Sequence, residues 1–126
     1  MNQPALSSLA HQVIGSAIEV HRAVGPGLLE SAYAKCLQHE LRHRGISFAA
    51  EVEVPLVYRG ASINCHYRVD LVVDQALIVE IKAVDALLPV HSAQVLTYMK
   101  LLEIRKGLLI NFNVPVLKSG LRSLIL

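Results

Sequence analysis

The sequence predicts a mixed α/β fold with the element order ααβββαβ. Three observations carry that prediction. Residues 7–44 hold two stretches of helical periodicity, separated by Gly25, Pro26 and Gly27. Residues 48–84 switch to strand-like patterning broken by short polar turns. A further helical stretch, 89–103, then stands between the third strand and a fourth. A helix in that place suits a crossover, so the fourth strand is expected to run parallel to the third.

In the first helix, about Ser7 to Val24, Leu9, Val13, Ile14, Ala17, Ile18 and His21 share one broad stripe, and Ser7 or Ser8 offers a cap. The second runs from Leu28 to about Arg44, with Leu29, Ala32, Tyr33, Cys36, Leu37 and Leu41 on its apolar side and Gly45 as its stop. From Phe48 to Tyr58, Val52, Val54, Leu56 and Tyr58 alternate with Glu51, Glu53 and Pro55. Proline cannot donate to a ladder, so this strand belongs at an edge or carries a bulge. Arg59 and Gly60 read as a turn. Ile63–Val73 and Leu77 to about Val84 are the next two strands, and short turns make the three a meander. Pro89 opens the third helix at a position that favours proline. Its stripe is Val90, Gln94, Thr97, Tyr98 and Leu101, with Val95, Met99 and Leu102 alongside. Leu108–Asn113 is the fourth strand, and the apolar tail, 117–126, fits one more.

Composition narrows the class. At 126 residues the chain fits a single domain spanning 1–126, long enough to bury a core without staples. With 53% apolar and 17% charged residues it is not a disordered chain. Mean hydropathy is high, +0.45, yet no apolar run reaches the ~18 residues that span a bilayer. The start, Met1 to Ser8, lacks the basic and apolar regions of a secretion signal. The expectation is a cytoplasmic protein with no membrane partner, its two cysteines, Cys36 and Cys65, reduced. A net charge of +2 permits nucleic acid as a partner without arguing for it. The surplus of apolar residues leaves room for a homodimer or a protein partner.

The chemistry concentrates on the hairpin formed by Val69–Val73 and Leu77–Ile81. With a three-residue loop at 74–76, Val73 faces Leu77 and Asp70 faces Glu80. Facing residues have Cβ atoms about 4.5–5.5 Å apart. Lys82, two residues past Glu80, projects on the same side. Both sides of the hairpin are otherwise apolar, with Val69, Leu71 and Val73 on one face and Val72 and Ile78 on the other, so charges there are costly unless paired or metal-bound. A two-residue turn at Gln75 and Ala76 would instead put Asp70 opposite Ile81 and dissolve the cluster. Facing carboxylates make a hard-oxygen site for Mg2+ or Mn2+. A lysine beside them can hold a water or neutralise developing charge, which is the equipment of phosphodiester hydrolysis. The competing reading is an ordinary ion pair of Lys82 with Asp70 or Glu80. Gln94 and Tyr98, one helical turn apart, are either core polar groups or neighbours of this cluster.

Asp70, Glu80 with Lys82, and Gln94 with Tyr98, in this element order, resemble the PD-(D/E)xK nuclease superfamily, nearest its RecB/Cas4-like branch. Gly27, Glu30 and Tyr33 look like the GxxExxY motif that names a family of small prokaryotic proteins within it, and Ile18–Arg22 and Leu109–Asn113 extend the likeness to about residues 10–120. The resemblance implies a restriction-endonuclease-like core, a mixed central sheet flanked by helices. It also implies Asp70 and Glu80 as metal ligands, Lys82 as the catalytic lysine and Glu30 as an acidic residue from the helix before the sheet. Gln94, Tyr98 and Tyr33 become accessory residues, and His21 a candidate upstream metal ligand. Val69 stands where the family's pattern has proline. Each role has a plainer competitor: Glu30 can simply stabilise a helix start, Tyr33 fill the core and His21 serve as a half-buried structural histidine. His91 is a second possible site neighbour, while His39 and His43 suit the surface. Two cysteines cannot ligate the iron–sulfur cluster of RecB-like nucleases. Two functions follow: a Mg2+-dependent nuclease acting on DNA, with RNA admitted, or a catalytically silent interaction module or subunit of a larger assembly on the same fold.

Overall fold

A computed structural model describes residues 3–126, with the side chains of 3–5 left aside; Met1 and Asn2, part of the polar start, lie outside the described residues. Helix α1 (Gln3–Val24) begins upstream of the expected serine caps, with Pro4 in its first turn, where a missing N–H costs nothing. The chain turns at Gly25 (φ 68°) and Gly27 (φ 105°), both in the left-handed region open to glycine, and enters α2 (Glu30–His43).

The strand region is β1 (Phe48–Glu53), β2 (Leu56–Tyr58), β3 (Ala61–Ile63), β4 (Arg68–Val73) and β5 (Leu77–Lys82). Two long expected strands are therefore each cut in two. At Pro55 the ladder has no donor, and the chain leaves β4 just after the Val54 N–H reaches the Tyr67 carbonyl at 2.8 Å. It then folds back as a β2–β3 hairpin through Arg59 (φ 50°) and Gly60 (φ 81°), the two left-handed residues of a tight hairpin turn. This hairpin is a separate two-stranded sheet.

The main sheet has the order β1-β4-β5-β6-β7. Helix α3 (Pro89–Leu102) crosses from β5 to β6 (Lys106–Asn111), which runs parallel to β5 as expected. A short 3-10 turn (Leu117–Gly120) leads to β7 (Leu121–Ile125), antiparallel on β6. The fold is the expected mixed sheet flanked by helices, and the inserted hairpin is its main addition. Helices α1 and α2 bury Val13, Ala17, Tyr33 and Leu37 against Leu71, Val79, Ile81 and Ile110. Helix α3 buries Val95, Tyr98 and Met99 against Val72, Ile78 and Leu109 on the other face. Of the expected apolar side of α3, Tyr98, Val95 and Met99 carry the contact, while Val90 is exposed. Among the described residues, no helix is long and apolar enough to cross a membrane.

Candidate active site

The β4–β5 turn has three residues, 74–76, so Val73 pairs with Leu77 and Leu71 with Val79. The next pair outward is Asp70 with Glu80, and there the backbone ladder stops. The carboxylates replace it. Glu80 Oε1 accepts the Asp70 N–H at 2.7 Å, and Asp70 Oδ2 accepts the Ile81 N–H at 2.7 Å. The side chains thus reach between the two strands, where the expectation had them standing side by side on one face. Each carboxylate commits one oxygen to a backbone donor.

The same position interrupts the other side of β4. Ala50 pairs with Leu71 and Val52 with Val69, but Glu51 and Asp70 between them form no ladder pair. Glu51 has φ 51°, a left-handed conformation rare for a residue with a Cβ. Strand alternation breaks here in register on both strands. Phe48, Leu71 and Val73 face α1 and α2, whereas Val52 and Val69 join the cluster under α3. Val69 was expected on the face of Leu71, and the kink at Glu51 and Asp70 turns it over. Asp70 consequently stands at the changeover between the two helical layers.

Burial sets the electrostatics. Glu80 is 5% exposed. Its carboxyl is pushed up to about 7, first by burial and then by the Asp70 charge, against the pull of the Asp70 N–H and of Lys82. Burial also raises Asp70, with Glu30 and Glu51 adding to the effect and the Ile81 N–H and Lys82 opposing it. Lys82 is half-buried, and its charge favours both carboxylates without closing a contact. The one salt bridge among the described residues is Arg44 with Glu40, so the plain ion pair of Lys82 with Asp70 or Glu80 does not form.

Glu30 opens α2, and its Oε2 accepts the Ala83 N–H at 3.3 Å, one residue past Lys82. It is exposed, and its charge reaches both Asp70 and Glu80. Tyr33 explains how Glu30 gets there. Its hydroxyl donates to the Gly25 carbonyl at 2.6 Å and accepts the Leu28 N–H at 3.1 Å, tying the turn before α2 to the helix. The ring is wholly buried and stacks on Phe112, with centroids 4.5 Å apart. Beside Asp70, a cleft of about 460 Å³ opens between α2 and β1, lined by Glu30, Lys35, Gln38, Glu51 and Asp70 among others.

From the α3 side, Tyr98 comes up under Glu80. Burial and the Glu80 charge raise its phenol, and the nearby Gln94 side chain lowers it. Tyr98, Gln94 and Glu80 are therefore neighbours. His91 caps the start of α3, where its Nδ1 accepts the Leu88 N–H at 2.9 Å. His21, expected as an upstream metal ligand, turns one ring nitrogen to the chain after β6. Its Nε2 is bonded to the Val114 carbonyl at 2.8 Å, and its ring lies 6.3 Å from that of Phe112. A nitrogen facing a carbonyl carries the proton, which leaves Nδ1 as the acceptor of the ring.

Two residues carry more than the sequence reading assigned them. Asn111, 1% exposed, accepts the Val84 N–H at 3.0 Å and donates to the Val84 carbonyl at 2.9 Å, fixing the chain just beyond Lys82. A lone Asn ending an apolar run was the available signal. Glu51 shapes the changeover at Asp70, and nothing in its sequence context marks a left-handed backbone.

Among the described residues, no three His, Cys, Asp or Glu groups stand close enough to enclose a metal ion. The donor set that fits a divalent cation is the Asp70–Glu80 pair: hard carboxylate oxygens, buried at Glu80 and half-buried at Asp70, with charges that repel and that a cation would reconcile. A sequence model of the family described as PD-(D/E)XK nuclease superfamily matches residues 7–124. No curated protein and no solved structure matches the chain.

Proposed function

Because the chain belongs to the PD-(D/E)XK nuclease superfamily, we propose that it hydrolyses phosphodiester bonds of nucleic acid at Asp70 and Glu80, with Mg2+ or Mn2+. DNA is the first substrate, and RNA is admitted. The observation that carries this reading is the buried Glu80 carboxylate facing the half-buried Asp70 carboxylate where the β4–β5 ladder ends. Members of the superfamily generally work with divalent metal ions.

Asp70 and Glu80 would hold the ion through the oxygens not committed to backbone donors. Two carboxylates with water completing the shell suit Mg2+, which binds through few protein ligands. Such an ion supplies an activated water and stabilises charge on the phosphate. Lys82 aids the same step by holding the attacking water or neutralising charge on the phosphate oxygens. Glu30 adds negative potential from the mouth of the site. Tyr33 and Asn111 act through others, positioning Glu30 and the chain after Lys82. Gln94 and Tyr98 buttress Glu80 from α3. A silent interaction module has no use for a buried carboxylate held against a second one that repels it, so the enzyme reading is preferred. The GxxExxY family, the RecB/Cas4-like branch, a single domain over 1–126 and a cytoplasmic setting complete the proposal.

The test is cleavage of single- and double-stranded DNA and RNA by purified protein with Mg2+ or Mn2+. Lys82→Ala should cost about 100-fold or more in rate, the loss seen when one charge-stabilising donor is removed. Absence of cleavage on all four substrates, unchanged by the variant, would sink the proposal.

A further inference from the structure

Beyond the carboxylate pair, one exposed feature has no structural purpose of its own. The β2–β3 hairpin stands apart from the main sheet, yet Val57 is 62%, Tyr58 64% and Ile63 39% exposed. Tyr67, on the return to β4, is 46% exposed. Apolar and aromatic groups clustered on a projecting arm mark a surface that something covers.

Charge and position say what. Residues 54–69 contain no Asp or Glu, but include Arg59, His66 and Arg68. The segment therefore suits a polyanion, unlike the acidic site next to it. Tyr67 also connects the arm to that site. Its ring lies 6.2 Å from the ring of Tyr98, which in turn feels the charge of Glu80. Between hairpin and return segment lies a groove of about 440 Å³, with Leu56, Ile63 and Tyr67 as apolar walls, Asn64 and His66 as polar ones, and Glu53 as its acidic member. Apolar walls with a few hydrogen-bonding groups suit a planar base.

We propose that the β2–β3 hairpin and Tyr67 form a base-stacking arm that receives single-stranded nucleic acid and leads it to Asp70 and Glu80. This rests on the nuclease reading and adds the strandedness of its substrate. Exposed aromatic faces attract unstacked bases, while a duplex has its base faces already occupied. Arg59 and Arg68 supply the accompanying phosphate contacts.

The experiment is fluorescence anisotropy in EDTA, where binding is read without cleavage. The probes are labelled oligo(dT), oligo(U) and a duplex of equal length. The parent should bind at least one single strand more tightly than the duplex, and the strand it prefers tells DNA from RNA. Tyr67→Ala should weaken that binding about tenfold, or about 1.4 kcal/mol, with duplex binding unmoved. Tyr67→Phe should bind like the parent, since the ring is what stacks. Tyr58→Ala, on the exposed arm, keeps the test open if Tyr67→Ala fails to fold. Single-strand binding that is indifferent to both alanines overturns the inference. So does a dimer in sedimentation that Val57→Asp dissociates while single-strand affinity stays unchanged, for the arm would then be a protein interface. Cleavage that depends on Lys82 together with such indifference would leave the nuclease reading standing and remove the arm alone.

Discussion

Replacing Glu80 by glutamine should stabilise the protein at alkaline pH and do nothing for it in acid. The group sits in a place that resists its charge, with 5% of its surface exposed and the Asp70 carboxylate opposite. In the folded protein it ionises at about 7, against 4.5 for an ordinary glutamate. The gap corresponds to roughly 3 kcal/mol. The sign follows from proton binding. Between about pH 4.5 and pH 7 the folded state keeps a proton that the unfolded state has lost, so stability falls as pH rises through that window. The stabilisation is complete below the unfolded value and gone above the folded one. Asp70, also raised by burial, contributes in the same direction.

Glu80→Gln keeps a side-chain oxygen for the Asp70 N–H and removes the charge. The variant should match the parent near pH 4 and exceed it by roughly 3 kcal/mol near pH 8. For 126 residues, with an unfolding entropy of about 2.1 cal/mol/K per residue, that is a Tm gain of about 10 °C. The assay is thermal unfolding followed by circular dichroism across this range, in EDTA. Adding Mn2+ near pH 8 should then raise the parent toward the variant, by about 2.7 kcal/mol at a hundredfold excess over Kd, with little effect on Glu80→Gln. A Tm difference that stays flat or shrinks as pH rises would refute the burial argument. Equal Mn2+ stabilisation of both proteins would refute the carboxylate pair as the metal site while leaving the electrostatics intact.

Tyr33→Phe removes the hydroxyl between the Gly25 carbonyl and the Leu28 N–H while keeping the stack on Phe112. Denaturant unfolding should show a loss of about 1–3 kcal/mol, and cleavage should fall because Glu30 is held less firmly. The two buried glycines of the β6 region should behave differently. At Gly120 a Cβ would collide with the Asn111 backbone oxygen, which cannot yield without moving the residue that pins Val84. At Gly107 it would meet the Met99 Sδ at 2.8 Å, the mobile part of a flexible side chain. Gly120→Ala should therefore cost about 3 kcal/mol or more and Gly107→Ala about 1 kcal/mol, again by denaturant midpoint. Equal costs at the two sites would contradict the packing argument.

What the sequence made legible was whatever follows from regular periods. The two amphipathic helices, the crossover helix and the parallel β5–β6 pair all come from repeat patterns, and the register at 74–76 follows from the turn length. Irregular backbone was not legible. Alternation put Val69 beside Leu71, because counting by twos assumes an unbroken pleat. The left-handed Glu51 breaks it without any glycine to announce the event. Pro55 signalled an edge, but not that the chain would fold out as its own hairpin. The stripe on α3 was drawn to include Val90 because its spacing fits, although in the first turn of that helix Val90 stands in solvent. His21 shared an apolar stripe in the sequence, and only the fold supplies the carbonyl of Val114 that occupies its ring nitrogen. Asp70, Glu80 and Lys82 were drawn together by register alone, whereas the burial of Glu80 and the raised pKa values of the two carboxylates needed the packed structure.

The carboxylates of Asp70 and Glu80 are at once candidate ligands and parts of the backbone scaffold, and that constrains how their roles can be separated. In a regular antiparallel pair, adjacent residue pairs alternate between bonded and non-bonded, so only one of the Asp70 and Ile81 N–H groups would meet a carbonyl across the ladder. Here they meet Glu80 and Asp70 side chains instead. Truncating Asp70 to alanine therefore removes a charge and also strands the Ile81 donor, at a cost of about 1–3 kcal/mol. Lost activity in Asp70→Ala would confound the chemistry with the strand geometry that presents Lys82. Asp70→Asn, which retains an oxygen for Ile81, isolates the charge. If the asparagine variant folds like the parent yet neither binds Mn2+ nor cleaves, the negative charge is what the site requires. If it keeps both, Asp70 acts as a substitute rung of the sheet, and the metal belongs to Glu80 with another partner.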